Sequence, residues 1–158
     1  MYRARLWSAR HAGFLNGLYR LWEGLLVALN PVLALIGHQR LDRGFTVVED
    51  AIKGLLFDSQ GCGQCTLSET GMACPMNCPK SLRNGPCGGV RADGSCEVDP
   101  EMVCVWVTAW EGSQRIRNGE QTIQIIQPPL DASLKNTSSW LRAVRERAVA
   151  AGANRNGF

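Results

Sequence analysis

The chain has 158 residues with a formal net charge of +3, and 45% of its residues are hydrophobic. This length suits one ordinary domain, or one small metal module with helical additions, and it excludes a large enzyme core. The 17 basic residues are spread along the chain instead of forming a stripe, so we expect no nucleic-acid partner.

Residues 1–46 are predicted to form an N-terminal helical docking segment. Asn30-Pro31 should end its first helix, because the residue before a proline avoids helical dihedrals. We expect no membrane span, because the most apolar stretch, residues 24–37, is shorter than the about 20 residues that crossing requires. The first helix is amphipathic and is expected to contact a partner protein, with the chain's own core or a membrane surface as alternatives. Its apolar stripe consists of Leu15, Leu18, Trp22, Leu25 and Leu29.

Two further helices are predicted before the first cysteine. A short one should end at Ile36, before a turn at Gly37, and a longer one should cover residues 47–57. Thr46 and Glu49 have the spacing of a capping box, and Glu49 with Lys53 would form an i,i+4 pair on the solvent side. The buried face is predicted to contain Val47, Val48, Ala51, Ile52, Leu55 and Leu56.

A cysteine-rich module follows, with predicted bounds at residues 47–111, and it contains every cysteine of the chain. Their number is odd and residues 1–30 lack the pattern of a signal peptide, so we expect reduced thiols in a cytoplasmic protein. The segment is rich in glycine, and metal–thiolate bonds would offset the entropy of ordering it. The candidate metal and cofactor ligands are Cys62, Cys65, Cys74, Cys78, Cys87, Cys96 and Cys104.

The spacing of the cysteines bears on which metal they bind. Thiolates select zinc, copper(I) or iron–sulfur clusters. Cys62 and Cys65 have zinc-knuckle spacing, but no second such pair follows, and one zinc would leave three thiols unused. Cys74 and Cys78 are each followed by proline, as is the last cysteine of ferredoxin-type runs. An iron–sulfur cluster explains more of this pattern than zinc, which stays an alternative together with free thiols or disulfides.

Residues 112–158 are predicted to form a C-terminal extension. Ile123, Ile125 and Ile126 suggest a strand-like segment before a Pro128-Pro129 linker, and a short helix should run from Trp140 to about residue 151. The preceding segment, residues 105–111, fits either a strand or a helix. No catalytic residue is predicted, because no carboxylate lies in a recognisable pocket pattern. The expected fold is small, with N-terminal helices, an irregular module built round metal–thiolate sites and a short C-terminal helix.

The cysteine module closely resembles the methylenetetrahydrofolate reductase C-terminal domain family, which includes the MetV-like accessory subunits. The likeness spans about residues 47–111 and includes glycines, prolines and aromatic residues as well as cysteines. Its motifs are Cys62-Gly-Gln-Cys65, Cys74-Pro-Met-Asn-Cys78-Pro and Asn84-Gly-Pro-Cys87-Gly-Gly.

The resemblance implies an accessory subunit that binds a 4Fe-4S cluster and passes electrons to or from the FMN or FAD of a MetF-like catalytic partner. That partner interconverts methylene- and methyltetrahydrofolate, so this chain would belong to an oxidoreductase without having an active site of its own. A further electron-transfer protein is a second candidate partner. The alternatives are a structural zinc-binding subunit that assembles the catalytic partner, and a thiol-based redox or methyl-transfer component.

One position departs from the family pattern. A cysteine often stands where this chain has Ser59, which would give eight thiolates and enough ligands for two cubane clusters. With seven cysteines we expect one cluster, or two if Ser59, Asp58 or a partner residue supplies the missing ligand.

Overall fold

A computed structural model describes the backbone of residues 2–155 and the side chains of residues 2–150. Residues 156–158, the end of the predicted C-terminal extension, lie outside this range. Within it, the chain is mostly helical as predicted, and the irregular cysteine-rich segment lies between the fourth and fifth helices. The helices are α1 (Tyr2–Arg10), α2 (Ala12–Ala28), α3 (Asn30–Ile36), α4 (His38–Phe57), α5 (Val105–Ser113), α6 (Gly119–Thr122) and α7 (Ser139–Arg155).

The break at Asn30-Pro31 is confirmed. Pro31 lies in the first turn of α3, where a missing N–H removes no helical hydrogen bond. Gly37 ends α3 with φ of 96°, a conformation that disfavours side chains. Between residues 2 and 155 no single helix is long and apolar enough to cross a membrane. Helices α2 and α3, with a bend of 59° between them, would reach the required length and apolar composition only as a pair. The sequence analysis did not predict α1.

The predicted start of α4 is wrong. The helix begins at His38, so Thr46 lies in its interior and cannot cap it. The Thr46 hydroxyl instead donates to the Asp42 carbonyl at 2.7 Å, a bond to the preceding turn that lets threonine sit inside a helix.

The predicted orientation of α4 is also wrong. Glu49 and Lys53, expected in solvent, are 4% and 3% exposed. The Glu49 carboxylate accepts hydrogen bonds from Ser138 Oγ at 2.7 Å and from the Trp140 N–H at 3.2 Å, at the start of α7. These hydrogen bonds hold the polar side of α4 in the interior, and five of the six apolar residues that were expected in the core are therefore exposed. They are Val47, Val48, Ala51, Ile52 and Leu55.

The main core joins α2, the end of α4 and the cysteine-rich segment. Leu15, expected in the docking stripe, is buried there, and Trp22 packs edge-on against Trp140 with ring centroids 5.6 Å apart. The other predicted stripe residues remain exposed, and Phe14 and Leu21, which the sequence analysis did not single out, are each 71% exposed. The core cluster consists of Ala12, Leu15, Phe57, Leu67, Met72, Cys74 and Ile116.

The C-terminal half is more helical than predicted. Residues 105–113 form α5, which decides between the two alternatives for this segment in favour of a helix. Ile123 ends α6, so a strand there is wrong. The last helix extends to Arg155, and Ser138 Oγ accepts a hydrogen bond from the Leu141 N–H at 3.3 Å, as an N-cap does. Strands are absent from residues 2–155, where only two isolated antiparallel bridges occur. The division into three segments stays a prediction.

Candidate metal–thiolate site

The seven cysteines, all free thiols, line two different cavities. Cys62, Cys65 and Cys74 line the first, which we call the three-cysteine cavity. The second, the four-cysteine cavity, is lined by Cys78, Cys87, Cys96 and Cys104. The structure therefore divides a set of ligands that the sequence presents as one run.

The loop that carries Cys62 and Cys65 is pinned against the segment before α7. The Asn136 N–H donates to the Gly61 carbonyl at 2.9 Å, and the Asp131 N–H donates to Gln64 Oε1 at 2.7 Å. Gly63 adopts φ of 69°, and a Cβ there would lie 2.0 Å from the Leu134 carbonyl oxygen. The close contact of these two backbones requires glycine at this position.

We expect Gly63→Ala to lower the free energy of unfolding by at least about 2 kcal/mol, because alanine meets both a strained φ and a backbone clash. Gly44→Ala is the matched control, since Gly44 lies in α4 with open space around it and the change should stabilise the helix by up to about 1 kcal/mol. Urea unfolding measures both effects. Equal stability of the two variants would contradict the packing of this loop.

A 3-10 turn, Pro75–Asn77, sends two neighbouring cysteines to different cavities. Cys74 precedes this turn and Cys78 follows it. Asn77 Nδ2 donates to the Phe57 carbonyl at 3.1 Å, which ties the turn to the end of α4. Pro75, directly after Cys74, thus opens the turn that separates the two sets of thiols.

Short bridges and the start of α5 position the four-cysteine cavity. The Cys96 N–H donates to the Met102 carbonyl and the Cys104 N–H to the Gly94 carbonyl, each at 2.9 Å. Trp106 covers this cavity, because it is 7% exposed and its Nε1 donates to the Leu82 carbonyl at 3.1 Å. Trp110, one turn later, is 49% exposed.

Burial and neighbouring charges both act on the Cys74 thiol in the three-cysteine cavity. Burial raises the pKa of Cys74 to about 11; backbone N–H groups of Gln60 and Met76 act against this shift, whereas charge on Cys65 and Cys62 adds to it. A buried thiolate is therefore costly here unless cations or a metal compensate it.

Two buried cations line the same cavity. The Lys53 ammonium donates to Glu49 Oε1 at 2.7 Å and to Ser139 Oγ at 2.8 Å. Burial alone would lower the pKa of Lys53, but charge on Cys65 and Glu49 raises it. Arg83 is 9% exposed and donates from Nη2 to the Gln64 carbonyl at 2.8 Å. Its Nε and Nη1 are buried and have no hydrogen-bond partner among the described residues.

The described residues contain no group of three or more histidine, cysteine, aspartate or glutamate side chains placed to hold one metal ion. Four sulfurs on one zinc, each about 2.3 Å from the metal, lie within about 4 Å of one another. The cysteines thus share cavities without converging on a single point.

Four other polar residues near the cysteines or on the helices have defined contacts. Ser59 lines the three-cysteine cavity, whereas Asp58 forms an ion pair with Arg5 at 3.4 Å. Lys80 is exposed and pairs with Glu97. His11 stacks on Trp7 between α1 and α2. The sequence analysis missed Lys53 as a cavity residue, and no signal in the helical periodicity of α4 could have found it.

Comparison with known proteins gives one match. A family model described as "Methylene-tetrahydrofolate reductase C terminal" matches residues 38–133, which is more than half of the chain. The match runs from the start of α4 into the segment before α7, so it includes all seven cysteines. No curated protein and no solved structure matches the chain.

Proposed function

The chain belongs to the methylenetetrahydrofolate reductase C-terminal family, and on this premise we propose that it is a MetV-like accessory subunit of a methylenetetrahydrofolate reductase. In this role it holds iron–sulfur clusters and exchanges electrons with the FMN or FAD of a MetF-like catalytic subunit in the cytoplasm. The folate and flavin sites belong to that partner. This chain contributes electron transfer and has no active site of its own.

The observation that carries the proposal is the division of seven thiols into one set of four and one set of three. Four thiolates are the full ligand set of a cubane cluster. The second set lacks one cysteine, and Ser59 lines the same cavity. We propose Ser59 in preference to Asp58 as the fourth ligand, because the Asp58 carboxylate is already paired with Arg5.

The donor set fits a soft, anionic group in each cavity. Soft sulfur ligands favour iron–sulfur clusters or zinc over hard cations, and a thiolate-ligated cluster carries net negative charge. Two buried nitrogens of Arg83, without a hydrogen-bond partner among the described residues, lie in the same lining as three cysteines and are suited to an anionic occupant. When bound, such a cluster would accept and release single electrons.

The exposed apolar residues support docking on a partner protein. They lie on three consecutive helices, α2, α3 and α4, and large apolar patches on a small chain mark association surfaces. The most exposed examples are Phe14, Leu21, Leu35, Val47 and Leu55. We propose that the catalytic flavoprotein covers this surface, which would also bring its flavin towards the cysteine-rich segment.

Anaerobic purification with metal analysis tests the function. We expect a brown protein with equal amounts of iron and acid-labile sulfide, about four of each per loaded cavity. The reduced protein should also reduce the flavin of the co-expressed catalytic subunit in stopped-flow mixing. A colourless protein that holds zinc would contradict the proposal and support the structural alternative. Cluster-loaded protein that never exchanges electrons with the flavin would contradict the electron-transfer role alone.

A further inference from the structure

We propose that Lys53 and Arg83 make the three-cysteine cavity the more easily reduced of the two cysteine sites, an inference that rests on the proposed function. Electrons would then collect at this cavity. Both residues lie outside the cysteine motifs. The helical periodicity of α4 predicts Lys53 on the solvent side, whereas the structure buries it.

Lys53 brings a full positive charge into the interior. Its side chain is 3% exposed and lines the three-cysteine cavity. The ammonium is held on three sides, by Glu49 Oε1 at 2.7 Å, Ser139 Oγ at 2.8 Å and the Tyr19 hydroxyl at 3.1 Å. The aromatic rings of Tyr19 and Trp140 lie 5.2 and 5.1 Å from Nζ. These contacts fix the charge in position and exclude water from it.

Arg83 adds a second buried charge to the lining of the same cavity. Only one of its nitrogens has a hydrogen-bond partner, the Gln64 carbonyl between Cys62 and Cys65. The unpartnered Nε and Nη1 remain available to sulfur or to another anionic group in the cavity. Guanidinium is protonated at all working pH values, so this charge is permanent.

The negative groups of the same cavity offset these cations only in part. Asp50 is exposed, so water screens its charge. The Glu49 carboxylate also accepts hydrogen bonds from Ser138 Oγ and from the Trp140 N–H at the start of α7. A helix N-terminus stabilises negative charge, so part of the charge of Glu49 is balanced there.

The four-cysteine cavity has no buried cation among the described residues of its lining. Its lining includes Lys80 and Glu97, which pair with each other and are 41% and 39% exposed. Glu97 Oε1 also accepts a hydrogen bond from Cys87 Sγ at 3.7 Å, so a carboxylate touches a ligand thiol. Reduction adds one electron, and it is favoured where buried cations stabilise the added charge.

A potentiometric titration of the anaerobically purified, cluster-loaded full chain, followed by electron paramagnetic resonance, tests the inference. Wild-type protein should show two one-electron steps. Cys78→Ala with Cys87→Ala, which empties the four-cysteine cavity, should remove the step at lower potential. Lys53→Met should lower the equilibrium constant for reduction at the upper step at least tenfold, about 59 mV for one electron. Lys53→Arg, which keeps the charge, should restore most of this loss.

The sign of a second variant separates electrostatics from structural damage. Glu49→Gln should raise the upper potential, because it removes a negative charge beside Lys53, whereas loosened packing would not move the two variants in opposite directions. Should Lys53→Met fail to fold, the double variant with Glu49→Gln leaves no unpaired buried charge, and Arg83→Met tests the other cation.

Each outcome has one meaning. An upper step that belongs to the four-cysteine cavity, or a Lys53→Met potential equal to that of wild type, would overturn the inference. Iron confined to the four-cysteine cavity would overturn it as well. Absence of any iron–sulfur signal in wild-type protein would instead defeat the proposed function.

Discussion

Replacing Cys96 and Cys104 with alanine is expected to abolish iron binding in the four-cysteine cavity while the three-cysteine cavity keeps its iron. The two residues line one cavity and are absent from the lining of the other. Because the segment between α4 and α5 contains no strand in the described structure, metal–thiolate bonds would be its main cross-links under the proposed function, and their loss should cost several kcal/mol of stability. Iron and sulfide analysis, with thermal unfolding, measures both effects.

Two variants control this experiment. Met102→Leu changes another residue of the same lining without removing a thiol and should keep the iron. Ser59→Cys supplies a fourth thiolate to the three-cysteine cavity and should raise its iron content after anaerobic reconstitution. Full iron in the Cys96, Cys104 variant, or loss of iron from both cavities together, would contradict two independent sites.

Ile52→Glu combined with Leu55→Glu is expected to weaken association with the flavin-containing catalytic subunit at least about 30-fold, near 2 kcal/mol. Both side chains are exposed on α4, 44% and 66%, so the charges disturb no core packing of the free chain. In a complex they would enter an apolar interface without partners. Isothermal titration calorimetry with the two purified subunits, and folate reductase assays, measure the loss.

The variant should retain its iron and its unfolding temperature, which separates docking from folding. Val149→Glu, at an exposed apolar position of α7, is the matched control and should bind as wild type. Phe14→Glu with Leu21→Glu tests α2 in the same way. Unchanged affinity in both charged variants would exclude this surface as the interface.

Point substitutions serve this purpose better than removal of the N-terminal helices. The Tyr2 hydroxyl accepts a hydrogen bond from the Val103 N–H at 2.9 Å, and Ser8 Oγ donates to the Leu56 carbonyl at 2.6 Å. Ala12 and Leu15 also lie in the main core. A truncation would therefore damage the fold and the docking surface together.

Local features of the fold could be predicted from the sequence. The break before Asn30-Pro31 and the turn at Gly37 follow from backbone restrictions that act within one or two residues. Helix α1 and the early start of α4 were missed, since neither has a strong cap or an apolar stripe. The segment around Ile123 was assigned the wrong structure because three nearby isoleucines fit a strand as well as the end of a helix.

The sequence by itself determined the chemistry of this protein: seven thiols in one turn-rich segment, and a family pattern that the match over residues 38–133 confirms. Only the tertiary structure decided how those thiols are shared, because one 3-10 turn separates Cys74 from Cys78. It also decided which side of α4 faces inward. Periodicity states which residues share a face, but the hydroxyls that bury Glu49 and Lys53 come from Ser138 and Ser139, more than 80 residues away. Such long-range hydrogen bonds outweigh local hydrophobic pattern, since a buried charge without them would be prohibitively unfavourable.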